Sequence, residues 1–181
     1  MRKMVEYNAP IRDYEFLLNE VLDAIPIVQK LGYSEFDEEF LSMLTDGWAE
    51  HVKEVWLPVN QLGDREGLTY SDGEIMMPDE FKNAYKESVD AGWLSTSCKP
   101  EHGGMGVPIF FQTVIWAEFG TSANMALSVL PALSVGVYEV LAEHGEKELV
   151  DYFATNMASG KWSGTMCLTE PHAGTDLGMI S

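Results

Sequence analysis

Apolar residues fall at helical spacing along most of the chain. From Tyr14 they recur at Leu17, Leu18, Val21, Leu22 and Ile25, on one face of a helix. The preceding Tyr7-Asn8-Ala9-Pro10 is extended, because the residue before a proline avoids the α region. Pro26 kinks or ends the helix, and Gly32 closes the segment. Ser34 reads as an N-cap with Glu35, Asp37 and Glu38 in the first turn. The helix behind it carries Phe36, Phe40, Leu41, Leu44, Trp48, Val52, Val55 and Trp56, and stops at Pro58. Residues 59–77 are rich in turn signals and read as an irregular loop with room for a short hairpin. Pro78 and Asp79 open a third helix, with Phe81, Tyr85 and Val89 on one face and Gly92 at its end. Further helices are expected over about 108–118, 124–144 and 146–157.

At Gly160 the period changes. Residues 161–169 alternate and are rich in β-formers, which predicts a strand, and Glu170–Asp176 reads as a loop. A lone strand leaves its backbone groups unpaired. The pattern therefore implies a mainly α protein: an arm and helix (1–33), a helical domain (34–160), and the first strand and loop of a β domain (161–181) that continues beyond this sequence.

Composition narrows the function classes. Of 181 residues, 29 are acidic and 11 basic, a net charge of −18, which disfavours nucleic-acid binding because phosphate contacts need clustered Lys and Arg. Cys98 and Cys167 are far apart, so no disulfide scaffold or CxxC site is expected, and a reducing compartment fits. The longest mostly apolar stretch, Met125–Tyr138, falls short of the roughly 20 residues that span a bilayer. Arg2 and Lys3 are followed by Glu6, Arg12 and Asp13 rather than an apolar run, so no signal peptide is expected and a cytoplasmic location follows.

Several chemistries lack their residues. Gly103-Gly104-Met105-Gly106 is neither a P-loop nor a dinucleotide fingerprint and reads as a tight turn between helices. His51, His102, His144 and His172 show no metal-binding spacing, and Ser163-Gly164 forms no nucleophile elbow. Pro131 lies in a helical stretch among the small residues Ser128, Ala132, Ser134 and Gly136. A proline there frees a carbonyl and bends the helix, and a bent helix with small side chains either lines a narrow apolar slot or packs closely on its neighbours. The segment Met166–Asp176 gathers the hydroxyls of Thr169 and Thr175 around a rigid Pro171 turn, with Gly174 allowing close backbone approach.

Cys167-Leu168-Thr169-Glu170-Pro171-His172-Ala173-Gly174-Thr175-Asp176 resembles the flavin-contacting signature of acyl-CoA dehydrogenases. Lys99-Pro100-Glu101-His102-Gly103-Gly104-Met105-Gly106 is similar to a second motif of that family, and Glu118-Phe119 through Asn124 and His144-Gly145 fall at its helix spacings. The resemblance covers about residues 35–181. The arm Tyr7–Leu18 and Ser122-Ala123-Asn124-Met125-Ala126 resemble a bacterial branch that includes 3-methylthiopropanoyl-CoA dehydrogenases.

The resemblance implies an N-terminal helical domain, a middle β domain and a C-terminal helical domain, with FAD as cofactor. It implies α,β-dehydrogenation of an acyl-CoA thioester, electron-transfer flavoprotein as acceptor, a homodimer or homotetramer, and a place in fatty acid metabolism. By position, Met166, Leu168 and Thr169 would contact the flavin, and Gly174 and Thr175 would lie near the flavin and the CoA chain. The kinked helix would form the acyl slot, with Leu127, Ser128, Pro131, Ala132 and Val135 as lining candidates. No residue of this chain is assigned as the catalytic base, so these 181 residues alone are expected to be inactive and to hold FAD weakly. The branch makes 3-methylthiopropanoyl-CoA or another short or medium acyl-CoA the sharpest substrate expectation. A non-catalytic helical interaction module, and an acyl-CoA oxidase or flavin monooxygenase on the same fold, are the alternatives.

Overall fold

Trp48 organises the fold from the middle of α3 (Glu38–His51). In the computed structural model, which describes residues 6–180, its indole is fully buried and stacks on Trp116 at 5.0 Å and 8°. Trp56 meets it edge-on at 5.0 Å and 84°. Each buried indole N–H has a partner: Trp48 donates to the Trp116 carbonyl at 3.0 Å, Trp116 to the Trp93 carbonyl at 2.8 Å, and Trp56 to the Ser88 hydroxyl at 2.7 Å. Leaving any of them unpaired would cost about 1–3 kcal/mol. Arg2 and Lys3, on which the signal-peptide reading drew, lie outside the described residues.

The N-terminal cap of α3 is Asp37 rather than Ser34. Its Oδ1 accepts from the Phe40 N–H at 2.8 Å, while Ser34 donates to Glu35. The helix does not stop at Pro58. A π turn (Val52–Trp56) carries it into α4 (Leu57–Glu66), with Pro58 in the first turn of that helix. The wider turn ahead of the proline makes room for a residue that cannot donate its N–H to the preceding turn. The expected 59–77 loop is thus helical to Glu66. It then forms a hairpin of β1 (Thr69–Ser71) and β2 (Glu74–Met76), with Asp72 at φ +52° and Gly73 at φ +89° between the strands. Two positive φ values match the twist of the strands they join.

Pro26 likewise begins a helix instead of ending one. The break is at Asp23 (φ +48°), after α1 (Ile11–Glu15) and a π turn (Phe16–Val21). Pro26 sits in the first turn of α2 (Ala24–Lys30), where a missing N–H costs no intrahelical bond. Tyr7, Ala9, Ile11 and Tyr14 lay the arm against the main core, and Tyr14 meets Phe119 edge-on at 5.5 Å.

The third helix is as expected: α5 runs Asp79–Asp90, followed by Gly92 at φ +79°. The two helices anticipated over 108–118 and 124–144 meet at a kink at Asn124 within a 34-residue helical run, a π turn (Phe111–Trp116) continuing into α6 (Ala117–His144). That run is long and apolar enough, by length and composition, to cross a bilayer, so the shortness of Met125–Tyr138 decides nothing. One of its faces supplies Phe111, Ile115, Trp116, Phe119, Ala123 and Leu127 to the core. Its dihedrals break at Asn124 (φ −158°, ψ 97°), not at Pro131. The fully buried Asn124 amide holds the kink from both sides, donating to the Trp56 carbonyl and accepting from the Leu127 N–H, both at 3.1 Å. Finally, α7 (Lys147–Ala158) packs Ala154 and Ala158 beside Cys98 and Tyr138 in a smaller second core.

Candidate functional site

The glycine-rich turn is anchored to α6 by one phenol. Tyr138, on the buried face of α6, accepts from the Lys99 N–H at 2.8 Å and lies 2.7 Å from His102 Nδ1. Burial pushes its pKa up to about 12, so the hydroxyl keeps its proton. Gly104 then crosses Cys98 so closely that a Cβ would stand 2.1 Å from the Cys98 carbonyl oxygen. Gly103 (φ +93°) and Gly106 (φ +66°) adopt backbone that favours glycine. The motif works here as a close crossing between α5 and α6, which agrees with the tight-turn reading. Burial, with Glu139 adding to it, raises the Cys98 thiol to about 12 and leaves it unreactive.

A second close crossing brings the signature segment onto the same helix. After Gly160 (φ +66°) the chain passes over α6 at Gly164, whose N–H donates to the Ser134 hydroxyl at 3.0 Å. A Cβ on Gly164 would lie 2.7 Å from Val137 Cβ. Residues 161–169 pair with no other strand among the described residues, so the expected strand carries no ladder here. The one bridge in this region is Glu170 with Ala173. The Glu170 N–H donates to the Ala173 carbonyl at 2.8 Å, and the Ala173 N–H donates back at 3.2 Å, around Pro171 and His172. This turn puts Thr169 beside Gly174, with Thr169 Cγ2 3.5 Å from where a glycine Cβ would be.

Met166, Leu168, Thr169, Gly174 and Thr175 therefore lie together on one exposed turn, Met166 65% and Leu168 50% exposed. The slot candidates divide. Leu127, Ser128, Pro131 and Val135 are buried on the core side of α6, and only Ala132 is exposed. The helix α6 is apolar on both faces, so the sequence alone does not tell which face is buried. The open side carries Met125, Val129, Leu133 and Val140, all exposed. Beside the turn, Gly136, Val137, Val140, Leu141, Thr165 and Met166 line a shallow apolar groove of about 380 Å³. The usable signal was the buried stripe Gly120, Ala123, Asn124, Leu127, Ser128, Pro131, Val135 and Tyr138, whose 3.6 period leaves Val129, Ala132, Leu133, Gly136 and Val140 facing away.

Sequence reasoning also missed a partly buried contact between His51 and Ser88. His51 Nε2 lies 2.8 Å from Ser88 Oγ. The Ser88 hydroxyl spends its hydrogen on the Ala84 carbonyl at 2.8 Å and accepts from Trp56, so it is a packing group and not a nucleophile. Desolvation lowers the His51 pKa to about 4 and keeps the ring neutral.

Residues 42–161 match the profile described as "Acyl-CoA dehydrogenase, N-terminal domain". The chain is 35% identical to 3-methylmercaptopropionyl-CoA dehydrogenase of Ruegeria pomeroyi, over 96% of this chain and 29% of that protein. It is 31% identical to a butyryl-CoA dehydrogenase of Syntrophomonas wolfei, over 94% of this chain and 28% of the relative. It is also 31% identical to a broad-specificity linear acyl-CoA dehydrogenase of Mycobacterium tuberculosis, over 97% and 28%. The chain thus spans less than a third of the length of these curated relatives. With the helical core under the matched region and both glycine crossings in place, this chain belongs to the acyl-CoA dehydrogenase family.

Proposed function

We propose that this chain supplies the N-terminal helical part of an FAD-dependent cytoplasmic enzyme that dehydrogenates an acyl-CoA thioester between its α and β carbons. The observation that carries this reading is the exposed turn Met166–Thr175, pinned to α6 by the Gly164 crossing. Its side chains fit one edge of a flavin: exposed apolar Met166 and Leu168 for the ring, the Thr169 hydroxyl for a polar ring atom, and Gly174 for close backbone approach. Thr175 offers a second hydroxyl toward the cofactor and the CoA chain.

Bound FAD would supply the hydride-accepting chemistry. The chain's own residues position and exclude. The open face of α6, with Ala132, Gly136, Val137 and Val140, lies against the acyl group and keeps water from it. The turn holds its hydroxyls in place through the reciprocal Glu170–Ala173 bonds. The base that takes the α-proton is not assigned to this chain. Electron-transfer flavoprotein is the proposed acceptor, and a homodimer or homotetramer the proposed assembly.

The substrates to test first are 3-methylthiopropanoyl-CoA and butanoyl-CoA. Anaerobic addition of either to the full-length protein is expected to bleach the oxidised flavin spectrum. A full-length protein that binds no flavin, or whose flavin no acyl-CoA reduces, contradicts the reading.

A further inference from the structure

Asn124 is fully buried at the point where α6 breaks. Its backbone is extended (φ −158°, ψ 97°), so two helical stretches meet there and the second begins at Met125. Asn124 is the N-cap of that second stretch. Its Oδ1 accepts from the Leu127 N–H at 3.1 Å, the hydrogen that a continuous helix would give to residue 123. A serine would serve as well for capping alone. Here the other end of the amide is used too. Nδ2 donates to the Trp56 carbonyl at 3.1 Å, on an element 68 residues earlier in the chain. Both bonds need an acceptor and a donor side by side at the end of one side chain. Turning the amide over would set N–H against N–H and oxygen against oxygen.

The joint is packed as well as bonded. Gly120, one turn before Asn124, has no side chain where a Cβ would stand 3.0 Å from Trp56 Cζ3 and 3.3 Å from Trp48 Cζ2. Ser128, one turn after it, is buried and donates to the Met125 carbonyl at 2.8 Å. The first stretch therefore rides on the tryptophan core, and the Asn124 amide ties the start of the second to it. Beyond the joint, the second stretch carries Ser134 and Val137, which seat Gly164, and Tyr138, which accepts from the Lys99 N–H. Both glycine crossings thus depend on the direction in which this stretch leaves Asn124. At 1.5 Å per residue Ser134 lies about 15 Å beyond Asn124, so a tilt of roughly 4° at the joint moves the Gly164 crossing by about 1 Å.

Resting on the function proposed above, we propose that Asn124 is a positioning residue for the flavin-facing turn: its bond to the Trp56 carbonyl sets the direction of the second stretch of α6, and with it the place of Met166–Thr175. Asn124 acts through Ser134 and Gly164, and sites of this kind need their supporting contacts to hold geometry to a fraction of an ångström.

The test uses the full-length protein. Asn124→Ser keeps the cap and loses the bond to Trp56. Asn124→Asp keeps shape and acceptor but sets an oxygen against the Trp56 carbonyl. Leu44→Ala, which removes a buried side chain of α3, is the control for lost stability. Both Asn124 variants are expected to bind FAD about fivefold or more weakly, the worth of roughly one hydrogen bond, and to shift the flavin absorption bands. Amide exchange at Gly164–Thr169 is expected to speed up in the serine variant while the Leu127 amide stays protected. Leu44→Ala is expected to lower the urea midpoint and leave FAD affinity, absorption bands and that exchange at parental values. The proposal is overturned if a folded Asn124 variant keeps parental FAD affinity and exchange at Gly164–Thr169, or if Leu44→Ala changes them as much, because Asn124 is then a cap and packing group only. A full-length protein that binds no FAD contradicts the function proposed above, and the exchange at Gly164–Thr169 still decides the role of Asn124.

Discussion

The Gly164 N–H donates to the Ser134 hydroxyl at 3.0 Å, at a crossing too tight for any side chain on residue 164. Ser134 in turn donates to the Leu130 carbonyl at 2.9 Å, one of the acceptors exposed on α6 around Pro131. One glycine, one serine and the next turn of the helix thus fix where the signature turn begins. Replacing Gly164 with Val should force it away from Val137, costing about 1–3 kcal/mol as an overpacked contact does. Hydrogen exchange at Gly164–Thr169 is expected to speed up in the variant while α3 stays protected. Unchanged exchange would mean that the crossing does not hold the turn.

Tyr138 is a comparable anchor for the glycine-rich turn. Tyr138→Phe leaves the Lys99 N–H and His102 Nδ1 without their partner, at a cost of about 1–3 kcal/mol. The expected readout is a lower urea midpoint and faster exchange across residues 99–106. A midpoint equal to that of the parent protein would show that water replaces the phenol without loss.

His51 makes stability depend on pH. Its ring is stacked on Trp48 at 5.6 Å, and burial depresses its folded pKa from 6.5 to about 4. The unfolded chain therefore binds a proton that the folded chain refuses. The stabilisation is complete above pH 6.5 and is lost as the pH falls from 6.5 toward 4. His51→Gln removes the titrating ring. Urea midpoints measured from pH 7 to pH 5 should fall more steeply in the parent than in this variant, and parallel slopes would contradict the assignment.

Where one residue type forces one conformation, the sequence was readable. Gly92 and the Asp72–Gly73 turn appear at the positions that local chemistry indicated. Proline was the least reliable guide. Pro26 and Pro58 sit in first turns where their missing N–H does no harm, and Pro131 is carried inside α6 without a dihedral break. At Pro58 the π turn Val52–Trp56 carries the helix past the proline, which a local rule does not register. The signature turn was legible because its residues are contiguous. The inward face of α6 was not, because both of its faces are apolar and only the packing of Trp116, Phe119 and Leu127 decides which one turns inward.

The most direct test of the site is the affinity of the full-length protein for FAD when Thr169 is changed. Thr169→Val keeps the shape and removes the exposed hydroxyl, and Thr169→Ser restores the hydroxyl without the methyl. If the turn faces the flavin, the valine variant should release FAD about tenfold more readily, the loss of roughly one charge-free hydrogen bond, and the serine variant should recover most of it. FAD affinity equal in all three proteins would contradict the placement of the flavin at this turn.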